Sequence, residues 1–425
     1  MTPNNLQNSV RHRAVEILSS VETGAHADQL LSFTKVASES DRRLLREIVR
    51  GTLTWQARLD YILNAYLKRP VARQKRPIRA ILRSGAYQIL YLDRVPSYAV
   101  VSECVTLSRR YGKAVSGLVN AILRGLSESR KTISFPDPGT DPVRHIAIDQ
   151  SHPEWLVQRW LDRYGFEKTL ELCVAGNTRP PVTIRTNAQQ TTTAELSHAL
   201  TSSGIDTRAD ENLPDALHID SPGGLFDTDA YKQGWFWVQG PGAIAVTRML
   251  IAESGDSILD VCSAPGGKAF AACRDDLRVV ATDLTASRLT TLRTNSARLG
   301  LDVLTAAADA RCLPFRVEFD HVWVDAPCTG LGTLSRHPEI RWSRDEDDLV
   351  KMPSLQLELL SSASQHVREG GTLIYSTCTT EPEENEQVVE NFLAAHPTFL
   401  LEDSVSTLPD TSGTDGAFGT RLRKT

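Results

Sequence analysis

Two short segments place reactive side chains where a sheet would present them. Asp325-Ala326-Pro327-Cys328 closes the apolar run FDHVWVD, and Thr377-Cys378 closes GGTLIYST. Proline stiffens the first turn, and the glycines after it give that loop freedom. A free cysteine usually packs as a small apolar group, but two at strand ends, one beside a carboxylate, suit chemistry. The chemistry that uses all three groups is substitution at an unreactive pyrimidine carbon. A thiolate that adds to carbon 6 of cytosine turns the ring into an enamine, and carbon 5 can then attack a methyl sulfonium. A carboxyl group facing N3 and the amino group stabilises the adduct and selects cytosine; Asp325 is the candidate. Release needs a base for the carbon 5 proton, a step that a second cysteine, or water it positions, can assist. The residues alone do not say which thiol attacks.

A sulfonium donor needs its own pocket. Ser257–Val261 reads as a buried strand ending in Cys262-Ser263-Ala264-Pro265-Gly266-Gly267-Lys268. Adjacent glycines let the backbone approach a ligand closely at a helix start. The next strand ends in Asp283, seventeen residues after Gly266, where a carboxylate can accept both hydroxyls of a ribose. Asp309 follows a further strand and is placed to face an adenine. Neither G-x-G-x-x-G nor a Walker A loop occurs, which weighs against NAD and excludes an ordinary nucleoside triphosphate loop. A nucleoside cofactor without pyrophosphate, such as S-adenosylmethionine, fits better. The competing reading of the loop alone is a tight strand–helix turn that binds nothing.

The elements that must hold these groups are legible as periodicities. From about residue 235, apolar strands at DSILDVC, RVVATD, FDHVWVDAPC and GGTLIYSTC alternate with helical stretches at 267–273, 285–299 and 345–368. That alternation predicts an α/β, doubly wound, Rossmann-like domain over 235–425 with ligands at the carboxyl ends of its strands. Residues 1–130 read as an all-α bundle, with Gly51 and Gly85 marking close helix contacts. ISFPDPGTDPVRH, with its three prolines, reads as part of a linker over 131–150. Residues 151–234 read as a small α+β subdomain, with a helix at HPEWLVQRWLDRYG, a strand at VTIRTN, a helix at 192–202 and a strand at Ala216–Asp220. The acidic runs Asp345–Asp348 and Glu381–Glu386 read as solvated helix starts rather than metal ligands, and no metal is expected.

Composition narrows the class. The chain has 425 residues, 41% of them apolar, and no apolar run of about eighteen that would cross a membrane. The N-terminus lacks the features of a secretory signal. Seven cysteines without a C-x-x-C pair argue against a disulfide framework or a thiolate zinc site, so a cytoplasmic protein with reduced thiols is expected. Residues 1–130 carry 21 Lys or Arg against 10 Asp or Glu, a balance of +11 in a chain whose net charge is −5. A basic end on an acidic protein points to nucleic acid; solvated helix arginines are the plainer alternative.

DVCSAPGGK, VDAPCTGLGT, HPEIRW and YSTCT together resemble the Sun/Nop2/NSUN group of cytosine-5 RNA methyltransferases. DRRLLREIVRGTLTW, RSGAYQILYLDRVPSYAVVSECV and GLVNAILR resemble the NusB-like domain that the bacterial RsmB (Sun/Fmu) family carries ahead of its catalytic domain. The resemblance runs from about residue 9 to the GTRLRK close. It implies that Cys378 is the nucleophile and that Cys328 assists product release. It implies that Cys262–Lys268, Asp283, Asp309 and Asp325 line an S-adenosylmethionine pocket, with Arg288 a further pocket residue. It implies as substrate a cytosine of 16S ribosomal RNA, free or in the small-subunit particle, for an enzyme acting as a monomer without a membrane partner. Thr329 and Leu331 depart from the usual Ser and Thr, and Gly240 in VQGPGA stands where an acidic residue is usual. Alternatives are the same reaction on transfer RNA and a non-catalytic RNA-binding assembly factor.

Overall fold

A computed structural model describes residues 9–128, 133–274 and 276–425. The chain divides into two compact units, Met1–Asn177 with His337–Arg344, and Thr178–Arg336 with Asp345–Thr425. Among the described residues no helix is long and apolar enough to cross a membrane.

The first unit is helical. Val10–Val21, Glu39–Thr54, Gln56–Asn64, Ser97–Ser108 and Lys113–Glu128 bury apolar faces around Arg76–Tyr91, in which each residue from Ala80 to Gln88 is buried. A helix enclosed on all sides needs small residues where its neighbours cross. A Cβ on Gly51 would lie 1.9 Å from Tyr87 Cζ, and one on Gly85 2.7 Å from Leu123 Cδ1, so both glycines do mark close helix contacts. The Tyr87 hydroxyl donates to Glu47 Oε1 at 2.6 Å, which limits the ring's retreat. Gly51→Val should therefore destabilise the protein by about 1–3 kcal/mol through overpacking. Thermal unfolding followed by circular dichroism tests this. Gly117→Ala is the control: nothing lies within 4 Å of a Cβ there, and no loss is expected.

The expected boundary between the bundle and a linker, at 130–131, lies outside the described residues. Beyond it, Pro142–Asp149 is a helix rather than linker. Asp141 caps it by accepting from Arg144 N at 3.0 Å, and Pro142 occupies the first turn, where a missing N–H costs nothing. The next helix, Glu154–Asn177, turns at Gly165, whose φ is 75°. It packs on Pro142–Asp149, which in turn packs on Gln56–Asn64, so the structure groups it with the first unit rather than with the strands that follow. The HPEIRW segment belongs to the same unit. Arg341 is fully buried and donates to Ser151 O at 3.1 Å, Gly176 O at 2.9 Å and Asn177 Oδ1 at 2.7 Å. Trp342 Nε1 donates to Leu53 O at 2.6 Å.

The second unit holds two sheets. β1 (Val182–Thr186), β2 (Arg208–Ala209), β3 (Ala216–Ile219) and β4 (Phe236–Val238) form an antiparallel sheet in the order β2-β3-β1-β4. β4 extends this small sheet beyond residue 234. The helix Thr193–Ser202 covers it, opened by a capping box between Thr192 and Glu195.

The large sheet comprises β5 (Ser257–Val261), β6 (Arg278–Asp283), β7 (Val303–Ala307), β8 (Phe319–Asp325), β9 (Val367–Thr377), β10 (Phe399–Thr407) and β11 (Ala417–Lys424), in the order β10-β11-β9-β8-β5-β6-β7. β5 to β9 are parallel, and β11 lies antiparallel between β9 and β10. The helices Gly267–Ala272, Ala286–Leu299 and Asp348–Ser364 follow β5, β6 and β8. The last is shorter at both ends than the stretch 345–368 read from the sequence; at its C-terminal end β9 already begins at Val367. Leu259, Val261, Val322, Val324 and Leu373 are completely buried, as expected of parallel strands covered on both faces. The strand order reverses at β5, which lies between β6 and β8. A crevice opens at such a reversal, beyond the carboxyl ends of the strands.

Candidate active site

The loops after β5 and β8 flank that reversal. The first begins at Cys262, held at φ 63°, and passes through Gly266 at φ 111°. A side chain at Gly266 would be strained and would meet Phe270 Cζ at 2.5 Å. Asp283 ends β6, is 2% exposed, and accepts from Ala264 N at 3.3 Å. Arg288 joins the same group: it lies 3.4 Å from Asp283 Oδ1 and donates to Ala264 O at 3.2 Å. Asp309 stands apart from these. It follows β7 and pairs with Arg311 at 2.6 Å, although Ala308 N donates to Asp283 O at 3.0 Å in the adjoining main chain.

Lys268 reaches from the first loop to Asp325 at the end of β8, with Nζ 2.7 Å from Oδ1. Ser376, register partner of Asp325 on β9, donates to the same oxygen at 2.9 Å, and Trp323 Nε1 fixes Ser376 at 2.9 Å. Burial alone would lower the Lys268 pKa; the Asp325 carboxylate outweighs it and holds the ammonium above the usual lysine value.

Asp260, one strand over and fully buried, is pushed up to about 7 by burial and by nearby Asp325, against the bond from Ser263. Its stability sign is fixed. Unfolded, the carboxyl ionises near pH 4; folded, it holds its proton to about pH 7. The folded state thus binds the extra proton across that window, and stability falls as pH rises through it, by on the order of 4 kcal/mol. Asp260→Asn should flatten that slope in urea denaturation measured from pH 4 to pH 8.

The two thiols come together. Cys328 Sγ and Cys378 Sγ are 3.3 Å apart, and Cys378 N donates to Cys328 Sγ at 3.4 Å. Their pKa values move in opposite directions. The hydrogen bond from the Cys328 thiol, helped by Lys268, outweighs desolvation and holds Cys378 below the usual thiol range. The same bond, then burial, keeps Cys328 well above it. Cys262 is pushed up to about 12 by burial and by the carboxylates of Asp325, Asp283 and Asp260. Of the three thiols in this region, Cys378 is the one whose pKa is lowered.

The acidic run after Cys378 is not a solvated helix start. Glu381 and Glu384 are completely buried, and Asn385 is nearly so. Glu384 accepts from Thr329 N at 2.8 Å, from Gln356 Nε2 at 2.9 Å and from the Thr329 hydroxyl. The named donors to Glu384 lie far along the chain; a local bond goes instead to Glu381, from the Thr380 hydroxyl at 3.1 Å. The Asp345–Asp348 run, by contrast, does open a helix at Asp348. Gly332, in the Cys328 loop, donates to Cys378 O at 3.1 Å, and a Cβ there would lie 2.3 Å from Gly416 O. Gly240 also has a steric cause in this chain: a Cβ would lie 2.1 Å from Asp415 Oδ2, whose carboxylate is held by Arg336 Nε at 2.8 and 2.9 Å.

Comparison with known proteins decides the family. Residues 247–422 match the description "16S rRNA methyltransferase RsmB/F", residues 8–128 the NusB family, and residues 152–225 the ferredoxin-like domain of RsmF/B-like methyltransferases. The probable ribosomal RNA small subunit methyltransferase B of Bacillus subtilis is 32% identical over 98% of this chain and 99% of its own length. The chain belongs to the RsmB/F methyltransferase family. The ribosomal RNA small subunit methyltransferase B of Klebsiella pneumoniae is 31% identical over 91% of each chain. The crystal structure of PH0851 matches this RsmB/F fold with TM-score 0.83 at 25% identity, covering 100% of this chain and 99% of that one. NSun6 from Pyrococcus horikoshii, 22% identical, shares the fold over 64% of this chain with TM-score 0.58.

The protein is thus an enzyme, a methyltransferase built of a NusB domain, a ferredoxin-like subdomain and a Rossmann-like catalytic domain, and its cofactor is S-adenosylmethionine. The residues fit that cofactor. A glycine turn whose second residue, Gly267, has no atom nearer than 3.5 Å to a built Cβ leaves room for close approach. The buried Asp283 carboxylate, beside that turn, has the acceptor chemistry a ribose requires.

Proposed function

We propose that this enzyme methylates carbon 5 of a cytosine in 16S ribosomal RNA through a covalent bond between Cys378 Sγ and cytosine carbon 6. The observation that carries the reading is the thiol pair at 3.3 Å with oppositely shifted pKa values, beside the Lys268–Asp325 ion pair. Cys378, as thiolate, adds to carbon 6, and the ring electrons pass to carbon 5. The cofactor supplies the methyl sulfonium that carbon 5 attacks. Lys268 and Ser376 both bind Asp325 Oδ1, which leaves Oδ2 for the cytosine amino edge. The carbon 5 proton then leaves to a base, the carbon 6–sulfur bond breaks, and its electron pair returns to Cys378. Cys328, protonated and donating to that sulfur, stabilises the departing thiolate.

Ribosomal RNA is favoured by the names of relatives that span the whole chain. The +11 balance of residues 1–130 suits RNA phosphates. The target base must leave its stack to reach a strand-end crevice. Cys262–Lys268, Asp283 and Arg288 are assigned to the cofactor, with Asp309 beyond them.

The test incubates the protein with methyl-labelled S-adenosylmethionine and undermodified small-subunit RNA, free and in particles, beside transfer RNA. Label in 5-methylcytosine of the small-subunit RNA is expected. Label confined to transfer RNA would replace the substrate. No label on any RNA, with cofactor bound, would leave an assembly factor.

A further inference from the structure

The two thiol loops are held by adjacent residues. Glu384 and its partner Gln356 tie both neighbours of Cys328: the carboxylate accepts from the amide and hydroxyl of Thr329, and Gln356 Nε2, which donates to Glu384 at 2.9 Å, also donates to Pro327 O at 3.0 Å. Asn385 ties both neighbours of Cys378: its Oδ1 accepts from Thr377 Oγ1 at 2.5 Å, and its Nδ2 donates to Thr379 O at 3.1 Å. Thr329 Oγ1 and Thr379 Oγ1, 3.0 Å apart, join the two loops directly. The Tyr375 hydroxyl anchors the grip from below by donating to Glu384 O at 2.6 Å.

We propose that Glu384 and Asn385 are a positioning pair that sets the separation of the two thiols, Glu384 through the Cys328 loop and Asn385 through the Cys378 loop. Three donors converge on the Glu384 carboxylate. Oε2 accepts from the Thr329 amide and Gln356, and Oε1 from the Thr329 hydroxyl; a glutamine would put an N–H in the place of Oε1, forcing that hydroxyl to reverse and donate to Thr379 instead. An aspartate is a methylene too short. Burial makes any lost bond expensive, so the loop moves when the group changes. Asn385 needs both an acceptor and a donor, which its amide alone provides. The two residues are adjacent, so one rigid segment fixes both sulfurs.

The inference rests on the thiol roles proposed above, and it assigns different steps to the two residues. Glu384→Gln displaces Cys328 and should slow product release by about 10- to 100-fold. Covalent RNA–protein adduct should then accumulate at steady state, with kcat and KM for RNA falling together and kcat/KM within about twofold of wild type. Asn385→Ala should slow adduct formation instead, without accumulation, and move the pH profile of Cys378 alkylation upward. Thr329→Val, which loses the hydroxyl bond, should repeat the Glu384→Gln behaviour, and Thr329→Ser should restore it. Thr329→Val also decides the matter should Glu384→Gln fail to fold. Cys328→Ala runs beside them. Adduct in Cys328→Ala but in neither Glu384→Gln nor Thr329→Val would overturn the positioning role and leave the thiol chemistry standing. No adduct even in Cys328→Ala would remove the thiol roles themselves, and the positioning proposal with them.

Discussion

Cys378→Ala should bind cofactor and RNA as wild type does, yet form neither 5-methylcytosine nor a covalent complex, with turnover lower by on the order of 10⁴-fold or more. Cys328→Ala should form the complex and fail to resolve it, so that protein linked to methylated RNA survives denaturing electrophoresis. The expected asymmetry follows the directions in which the two thiols are shifted: the Cys328 thiol and the Lys268 ammonium hold Cys378 low, while the bond to Cys378 and burial hold Cys328 high. The Cys328→Ala change also removes that donated bond. Alkylation of Cys378 should then require higher pH than in wild type, because one of the two influences that lower its pKa, the bond from Cys328, is gone and the Lys268 ammonium is left. If Cys378→Ala still methylated and Cys328→Ala did not, the two roles would be exchanged.

Lys268→Met has the second largest expected effect, because one ammonium serves three neighbours. It pairs with Asp325 at 2.7 Å and acts favourably on both Asp260 and Cys378. Without it no ammonium offsets the repulsion that Asp325 exerts on the buried Asp260. A broken buried pair costs about 3–5 kcal/mol, and somewhat less here because Asp325 is 33% exposed. The catalytic loss is expected to be about 10²- to 10³-fold, the scale on which a preorganised charge acts. Urea denaturation and single-turnover methylation read the two effects separately. Lys268→Arg should recover stability more than rate, since a forked guanidinium can pair with Asp325 while lying elsewhere relative to Cys378. Wild-type rates in Lys268→Met would remove the ammonium from the chemistry.

Most of the parallel strands were readable because they are apolar runs with a candidate site residue at or just past the end. Leu259, Val261, Val322 and Val324 announce burial on both faces, and Cys262, Asp283 and Asp325 close the runs. The site was readable for the same reason: a doubly wound sheet gathers its strand ends, so Lys268, Asp325, Cys328 and Cys378 had only to fall at such ends to meet. Other features depend on partners far along the chain. Three prolines in ISFPDPGTDP read as a breaker, but only the cap by Asp141 shows that Pro142 opens a helix. Glu384 looks solvated until the donors of Thr329 and Gln356, 55 and 28 residues away, are in place. β10 and β11 were not anticipated, since Phe399–Thr407 is an edge strand exposed along most of its length and carries no buried alternation.

The dispersal of the first unit along the chain has a consequence for synthesis. Ser151 and Gly176 receive their bonds from Arg341, and Leu53 receives one from Trp342. At translation speeds of about 5–20 residues per second, roughly 10–30 seconds separate the appearance of Asn177 from that of Arg344, the end of the inserted segment. During that interval a nascent chain carries the earlier helices with an unfilled place for a buried guanidinium, while most of β1 to β8 is emerging. Completion of the first unit is thereby tied to the arrival of the loop that bears Cys328. A chain stalled or cut between the two carries neither unit whole.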